Sequence, residues 1–302
     1  MRLGLVLPMF SGDPDALLGF ARRAEGLGFD GVFAFDHLMP LGGPADGPAF
    51  ECFAALAAVA ASTERVTIGT LAARATLRPA GLLAKLAAAV HQLSGGRLIL
   101  TIGTGDELSK REHDAFGLPY LGPRERRAHL EETVRAVSAL FAGRAWPGGD
   151  HVPALDGPLL PPVAGAPPRV WIGGTSEAAV RSAAALAGGW NGWGLALETF
   201  SERVRGIRAA SGSGGGRSVE ATWGGVALVG RDGAELDALL ERRTAAGKRP
   251  PPGSWVVDAD ELVERLMTLR ASGASWAILL PAGPRDRIDL IAEVALPALA
   301  GQ

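Results

Sequence analysis

Five short stretches of the 302-residue chain combine residue types that can do chemistry: 36–37, 70–76, 104–107, 173–176 and 191–193. His37 can take or give a proton near neutral pH, and Asp36 beside it could orient the ring or favour its protonated form. Gly173 and Gly174 lead toward an expected helix. Free backbone N–H groups there, the hydroxyls of Thr175 and Ser176 and the helix dipole would suit a phosphate. Thr175 reads equally well as an ordinary N-cap. Gly103-Thr104-Gly105 opens like a dinucleotide fingerprint, but Leu108 stands where the third glycine belongs. The stretch therefore reads as a loop that lets backbone approach a ligand closely, followed by the acids Asp106 and Glu107. Trp190 and Trp193 could stack on a flat ring or fill a core. The other histidines lack a comparable address. His91, His113 and His129 read as helical surface residues and His151 as a loop residue. No pair has HExxH spacing, so no metal is expected.

The address comes from the elements that precede these stretches. Apolar runs at 2–7, 31–35, 66–72, 97–102, 169–172, 190–194, 222–229 and 275–280 read as buried strands. Helical patterns lie between them. One starts at Asp13-Pro14 and stops at Gly28. Others occupy 53–62 and 79–93. A fourth carries Leu130, Val134, Val137 and Leu140 and stops at Gly143. A fifth begins at Thr175, and a later one begins at Asp258, with Glu261 three residues on as in a capping box. The last runs over 284–299.

Eight strands alternating with about eight helices, at roughly 38 residues per unit, predict a (β/α)8 TIM barrel with insertions in its βα loops, as one domain over 1–302. Strands apolar on both faces agree with a covered parallel sheet. An open doubly wound sheet is the competing architecture. It would need a phosphate fingerprint after the first strand, and LPMFSGD is not one. In a barrel the chemistry sits at the C-terminal ends of the strands, where all five stretches fall.

Composition narrows the class of partner. The net charge of −2 gives no electrostatic reason to expect nucleic acid or an anionic membrane. The single cysteine, Cys52, excludes an internal disulfide framework. MRLGLVLPMF is too short, and too soon followed by Asp13 and Pro14, for a signal peptide. No apolar run reaches the ~18 residues of a membrane span, so a cytoplasmic protein is expected. Only three lysines (Lys85, Lys110, Lys248) accompany the arginines, which reads as the codon bias of a GC-rich genome. The 42 glycines punctuate apolar segments, and only 211–216 looks like a flexible linker.

LGLVLP (3–8), GFDGVFAFDH (28–37), RVTIGTLA (65–72), the block 78–105 ending LSGGRLILTIGTG, RVWIGGTSEAAVRSAAALAGGWNGW (169–193) and VDADELVERL (257–266) run in order over nearly the whole chain. Together they resemble the luciferase-like flavin and deazaflavin oxidoreductases, whose fold is a (β/α)8 barrel. The resemblance implies a flat ring in the barrel mouth, backed by a bulge after the third strand that holds a non-prolyl cis peptide, here at Leu71-Ala72. It places the cofactor phosphate against Gly173, Gly174 and Thr175, with Thr104, Gly105 and Asp106 along the ring or its side chain, and with Asp36 and Trp193 also at the cofactor. GTG followed by an acid looks most like members using coenzyme F420, with FMN as the alternative. In those members a histidine matching His37 handles the substrate proton and a glutamate follows the GTG. Here that glutamate is Asp106, with Glu107 adjacent. The aromatic that often follows DHxxP is Leu41, and the lysine that sugar-phosphate enzymes place after the sixth strand is missing from NGWGLAL.

The expectation is therefore an F420-dependent oxidoreductase acting on a small molecule, with His37, Asp106 and Glu107 as catalytic candidates and a homodimer as the family's usual assembly. The alternatives are an FMN-dependent monooxygenase, a flavin- or deazaflavin-binding protein without turnover, and an unrelated barrel enzyme. Loops 38–50, 106–122 and 244–256 would wall the pocket.

Overall fold

The structure, a computed structural model, describes residues 1–41, 46–156, 165–212 and 218–301. Its strands are β1 (Arg2–Val6), β2 (Gly31–Ala34), β3 (Thr67–Thr70), β4 (Ala73–Arg74), β5 (Leu98–Gly103), β6 (Arg169–Gly173), β7 (Gly189–Trp193), β8 (Glu220–Val229), β9 (Trp255–Val257) and β10 (Trp276–Ala282). Eight of them, β1, β2, β3, β5, β6, β7, β8 and β10, pair in parallel and in that order, and β10 closes on β1. This is a (β/α)8 barrel. The eight apolar runs each supply one barrel strand. Two short strands were not expected. β4 continues β3 after an interruption and pairs with β5, and β9 adds to the far end of β8.

The helices are α1 (Pro14–Leu27), α2 (Cys52–Ser62), α3 (Ala80–Leu93), α4 (Ser109–Ala115), α5 (Pro123–Phe141), α6 (Glu177–Leu186), α7 (Leu197–Gly212), α8 (Gly233–Ala245), α9 (Ala259–Ala271) and α10 (Arg287–Ala300). At α1 the cap is the expected one, with the Asp13 carboxylate accepting from the N–H groups of Asp15 and Ala16. At α9, Asp258 caps Glu261 N–H, but the Glu261 carboxylate accepts from Arg265 one turn on instead of closing the box. Of the stretch 211–216, only 211 and 212 are among the described residues, and they end α7. Within the loop 38–50, residues 42–45 also lie outside them.

Large rings facing small residues fill the barrel interior. Phe33 of β2 meets Trp276 of β10 edge-on at 5.5 Å and stacks on Trp171 of β6 at 6.3 Å. A Cβ on Gly4 or Gly69 would come within 2.8 or 2.7 Å of the Phe33 ring, so the neighbouring strands must be bare there. Below this layer two charged groups tie the elements together. The Glu25 carboxylate accepts from three successive backbone N–H groups, those of Glu64, Arg65 and Val66, which lead into β3. The Arg97 guanidinium donates to the carbonyls of Ala60, Thr63, Val66 and Ser94 and to the Thr63 hydroxyl, fastening α2, the entry to β3 and the end of α3.

Candidate active site

At the end of β2 the chain turns out of the barrel carrying Asp36 and His37. The two side chains part company. Asp36 is buried, and its carboxylate receives two hydrogen bonds from Arg78, at 2.8 and 2.9 Å, and one from the backbone N–H of Arg74 at 2.9 Å. It thus anchors the segment that follows β3. Burial alone would ease the proton off Arg78, but the bonds to Asp36 and Glu51 outweigh it and hold the guanidinium more firmly protonated than usual.

His37 turns instead to a residue outside the expected set. Its Nδ1 lies 2.7 Å from Oε1 of Glu112, on α4. The other oxygen, Oε2, accepts from the Leu38 N–H at 3.2 Å and from Nη2 of Arg74. Burial would favour the neutral acid at Glu112. The hydrogen bond from His37, the charges of His37 and Arg74 and the Leu38 N–H outweigh it, so the carboxyl sits below its ordinary value and stays ionised. The His37 side chain is 15% exposed against 5% for Glu112, so the ring is the member of the pair that a ligand can reach.

The interruption between β3 and β4 is a cis peptide bond at Leu71-Ala72, where the family resemblance implied one. Leu71 is buried and Ala72 half-buried. Gly103 and Gly173, at the ends of β5 and β6, leave room for the Ala72 methyl. A Cβ on either would stand 3.1 or 3.2 Å from it. The three form a floor of minimal side chains across adjacent strand ends. Beyond β5, Thr104 bonds to the Gly105 carbonyl. Asp106 is exposed, and its carboxylate accepts from the N–H and hydroxyl of Ser109 at the start of α4. Glu107 is exposed too. No hydrogen bond or ion pair joins either acid to His37 among the described residues.

At β6 and β7 the structure is held by backbone. Gly174 has φ 151°, and a Cβ there would meet that of Ala179 at 2.8 Å. Its N–H donates to the Asn191 carbonyl at 3.0 Å, and its own carbonyl accepts from Trp190 Nε1 at 2.8 Å. The Gly174 N–H is therefore engaged, contrary to the expectation of a free donor. The helix begins one residue later than expected, with Ser176 as the N-cap accepting from Ala179. Thr175 is exposed ahead of it, so the opening of the ten-residue α6 faces outward with first-turn donors that no helical carbonyl can satisfy.

Trp190 is fully buried against Phe200 and belongs to the core. Trp193 is half-buried and meets Phe35 edge-on at 5.3 Å, and Phe35 in turn touches Phe10 and the His37 ring. An aromatic wall from the ends of β1, β2 and β7 thus stands beside the histidine. Asn191 lies inside the barrel, bonded to the Thr222 hydroxyl at 2.9 Å.

Two histidines expected at the surface are buried. His91 is 3% exposed with Nε2 3.0 Å from the Ala166 carbonyl, and His113 is 2% exposed with Nδ1 2.7 Å from that of Pro119. Both lie on the inner faces of their helices. Glu112 escaped the sequence reading for a related reason, and Arg74 entered it only as an unnamed member of the stretch 70–76. α4 is only seven residues long, too short for a periodic signal, and Arg74 follows an interruption that strand patterns do not mark.

The chain is similar in sequence and in fold to several known proteins. The profile of a family described as luciferase-like monooxygenase matches residues 1–275. An F420-dependent glucose-6-phosphate dehydrogenase from Beutenbergia cavernae is 30% identical over 299 residues, covering 88% of this chain and 87% of that one. Among solved structures, an F420-dependent secondary alcohol dehydrogenase in complex with an F420-acetone adduct superposes with a TM-score of 0.81 at 19% identity, covering 99% and 98% of the two chains. A monooxygenase from Streptomyces bottropensis superposes with a TM-score of 0.76 at 22% identity, covering 99% of this chain and all of the other. At these identities the solved structures speak for the barrel alone.

Proposed function

The chain belongs to the luciferase-like monooxygenase family, and from that premise we propose an oxidoreductase that uses coenzyme F420 to move a hydride to or from a small organic substrate. The observation that carries the reading is the placement of a reachable imidazole, bonded to a buried carboxylate, beside an aromatic wall and a floor of minimal side chains at the C-terminal end of the barrel.

The residues present fit such a cofactor. Ala72, Gly103 and Gly173 offer a surface where a flat ring meets little side-chain bulk. The outward opening of α6, with Thr175 and Ser176, offers N–H groups and the positive end of a helix to a phosphate. When bound, the deazaflavin supplies C5 as hydride acceptor or donor. The protein must then handle the accompanying proton, since an alcohol oxidised by hydride transfer loses its hydroxyl proton and a carbonyl being reduced gains one. His37 does this at Nε2, the ring nitrogen that Glu112 does not hold. Phe10, Phe35 and Trp193 exclude water from that side.

Titrating the purified protein with F420 and with FMN, each followed by fluorescence, tests the proposal. Tighter binding of F420 is expected. Equal or reversed affinities would move the reading to an FMN-dependent monooxygenase, and failure to bind either would end it. The substrate we infer is not glucose 6-phosphate, because residues 191–197 hold no lysine to meet the phosphate. A panel of alcohols and sugar phosphates offered with oxidised F420 tests this, and preferred turnover of the sugar phosphate would overturn it. A homodimer is the assembly proposed on family grounds, and light scattering of a monomer at working concentration would refute it.

A further inference from the structure

We propose that Glu112 is a positioning residue that holds His37 with its proton on Nδ1 and leaves Nε2 as the base, so that the histidine's carboxylate partner comes from α4 and not from the acids that follow Gly105. The proposal rests on the reading of His37 as the group that handles the substrate proton.

The hydrogen bonding leaves one arrangement. An ionised carboxylate only accepts, so a 2.7 Å contact with Oε1 requires a proton on Nδ1. Glu112 is held in its ionised form by His37, Arg74 and the Leu38 N–H together. Its other oxygen is committed to the Leu38 N–H and to Arg74, so the carboxylate cannot turn away from the ring. Leu38 directly follows His37, so Glu112 grips the imidazole and its adjoining backbone at once. Arg74 is buried to 3% exposure, and its backbone N–H is held by Asp36. The remaining acids nearby are otherwise engaged or absent from the contact. Asp36 serves Arg78 and the Arg74 backbone, and Asp106 accepts from the Ser109 N–H and hydroxyl. When a proton arrives at Nε2, the resulting imidazolium faces a full negative charge that Arg74 tempers from the far side.

The substitution Glu112→Gln should reverse the arrangement, not merely weaken it. An amide offers one acceptor and two donors, and Arg74 and Leu38 both demand an acceptor. The amide carbonyl would therefore face those two and present its NH2 to His37, which must then accept at Nδ1 and carry its proton on Nε2. That tautomer has no base to offer the substrate.

The test is nitrogen-15 NMR of the histidine rings, in the full protein with and without F420, at a pH where the rings are neutral. The His37 signal is identified by its loss in His37→Gln. In the wild type the Nδ1-protonated form is expected, and in Glu112→Gln the Nε2-protonated form. Single-turnover reduction of F420, using whichever alcohol of the panel the wild type oxidises fastest, should fall about 10²–10⁴-fold in Glu112→Gln while F420 affinity changes only a few-fold. An Nε2-protonated ring in the wild type would overturn the proposal without recourse to any variant. So would a folded Glu112→Gln protein that keeps the wild-type tautomer. A reversed tautomer with unchanged turnover would support the positioning role and overturn instead the reading of His37 as the proton-handling group.

Discussion

Two corners of the barrel mouth face one another and are built on opposite principles. The corner at the end of β2 is made of charged side chains, with Asp36 on Arg78 and Arg74, and Glu112 on His37 and Arg74. The corner at the ends of β6 and β7 is made of backbone, with Gly174 bonded through both its N–H and its carbonyl. Ionised groups can place a proton but tolerate little change of type, because each buried charge depends on its partner. A backbone corner has no titrating group, so it offers shape and N–H donors that stay constant with pH. A mouth that moved a proton on one side and held a phosphate on the other, as proposed, would need both.

Asp36→Ala should break the charged corner most severely. It leaves a largely buried Arg78 with only the exposed Glu51 as a carboxylate partner and frees the Arg74 backbone, and should cost about 3 kcal/mol in chemical denaturation. A loss below about 1 kcal/mol would show that Arg78 finds other partners. His37→Ala leaves those anchors in place. It should keep cofactor affinity within a few-fold and slow single-turnover hydride transfer by about 10²-fold or more. Near wild-type turnover would remove the histidine from the chemistry.

Gly174→Val tests the backbone corner. A β-branched residue at φ 151°, with its Cβ against Ala179, should cost about 1–3 kcal/mol of stability and weaken F420 binding in whatever protein folds. Strong binding with an intact melt would take this loop out of the site. The fold and the proposed ligand site would be coupled there, because the residue that makes room also holds the strand ends together.

A smaller, pH-dependent effect separates the corners again. Glu112 has a lower proton affinity folded than unfolded, so the stability it contributes is complete above the ordinary carboxylate value and is lost as the pH falls through the folded one. Melting temperatures of wild type and Glu112→Gln should therefore differ most near pH 6 and converge toward pH 3, whereas a gap constant with pH would contradict the ionised assignment. Asp106→Ala should do least. It removes the hydrogen bonds of an exposed carboxylate to the Ser109 N–H and hydroxyl, worth about 1 kcal/mol or less, without slowing proton transfer. A large loss of rate in that variant would return the acid role to the residue after Gly105.

The two corners also differed in how far they could be read in advance. Gly173-Gly174 and the following hydroxyls were visible because backbone shape writes itself into glycine and N-cap residues, although the cap proved to be Ser176 and not Thr175. The barrel was visible because eight apolar runs recur at a regular interval. His37 was legible from its strand-end address. Its partner was not. A side-chain pair separated by 75 residues leaves no local trace, and the nearest acid in sequence, Asp36, is one the fold turns to another purpose. His91 was hidden for the same reason, since its partner, the Ala166 carbonyl, lies 75 residues away, whereas His113 meets the carbonyl of Pro119 just past α4, a helix too short to reveal its inner face.

The scarcity of lysine reads as a habit of the genome, and over most of the surface it can be only that. Arg97 is different. Its guanidinium reaches acceptors from two helices and a strand entrance at the same time, and an ammonium with three donors on a single nitrogen cannot point in so many directions. A recoding of this chain toward lysine would thus be nearly free at exposed positions and would loosen the closed end of the barrel at this one. Whatever sets the arginine content elsewhere, the fold uses at this position a geometry that lysine does not provide.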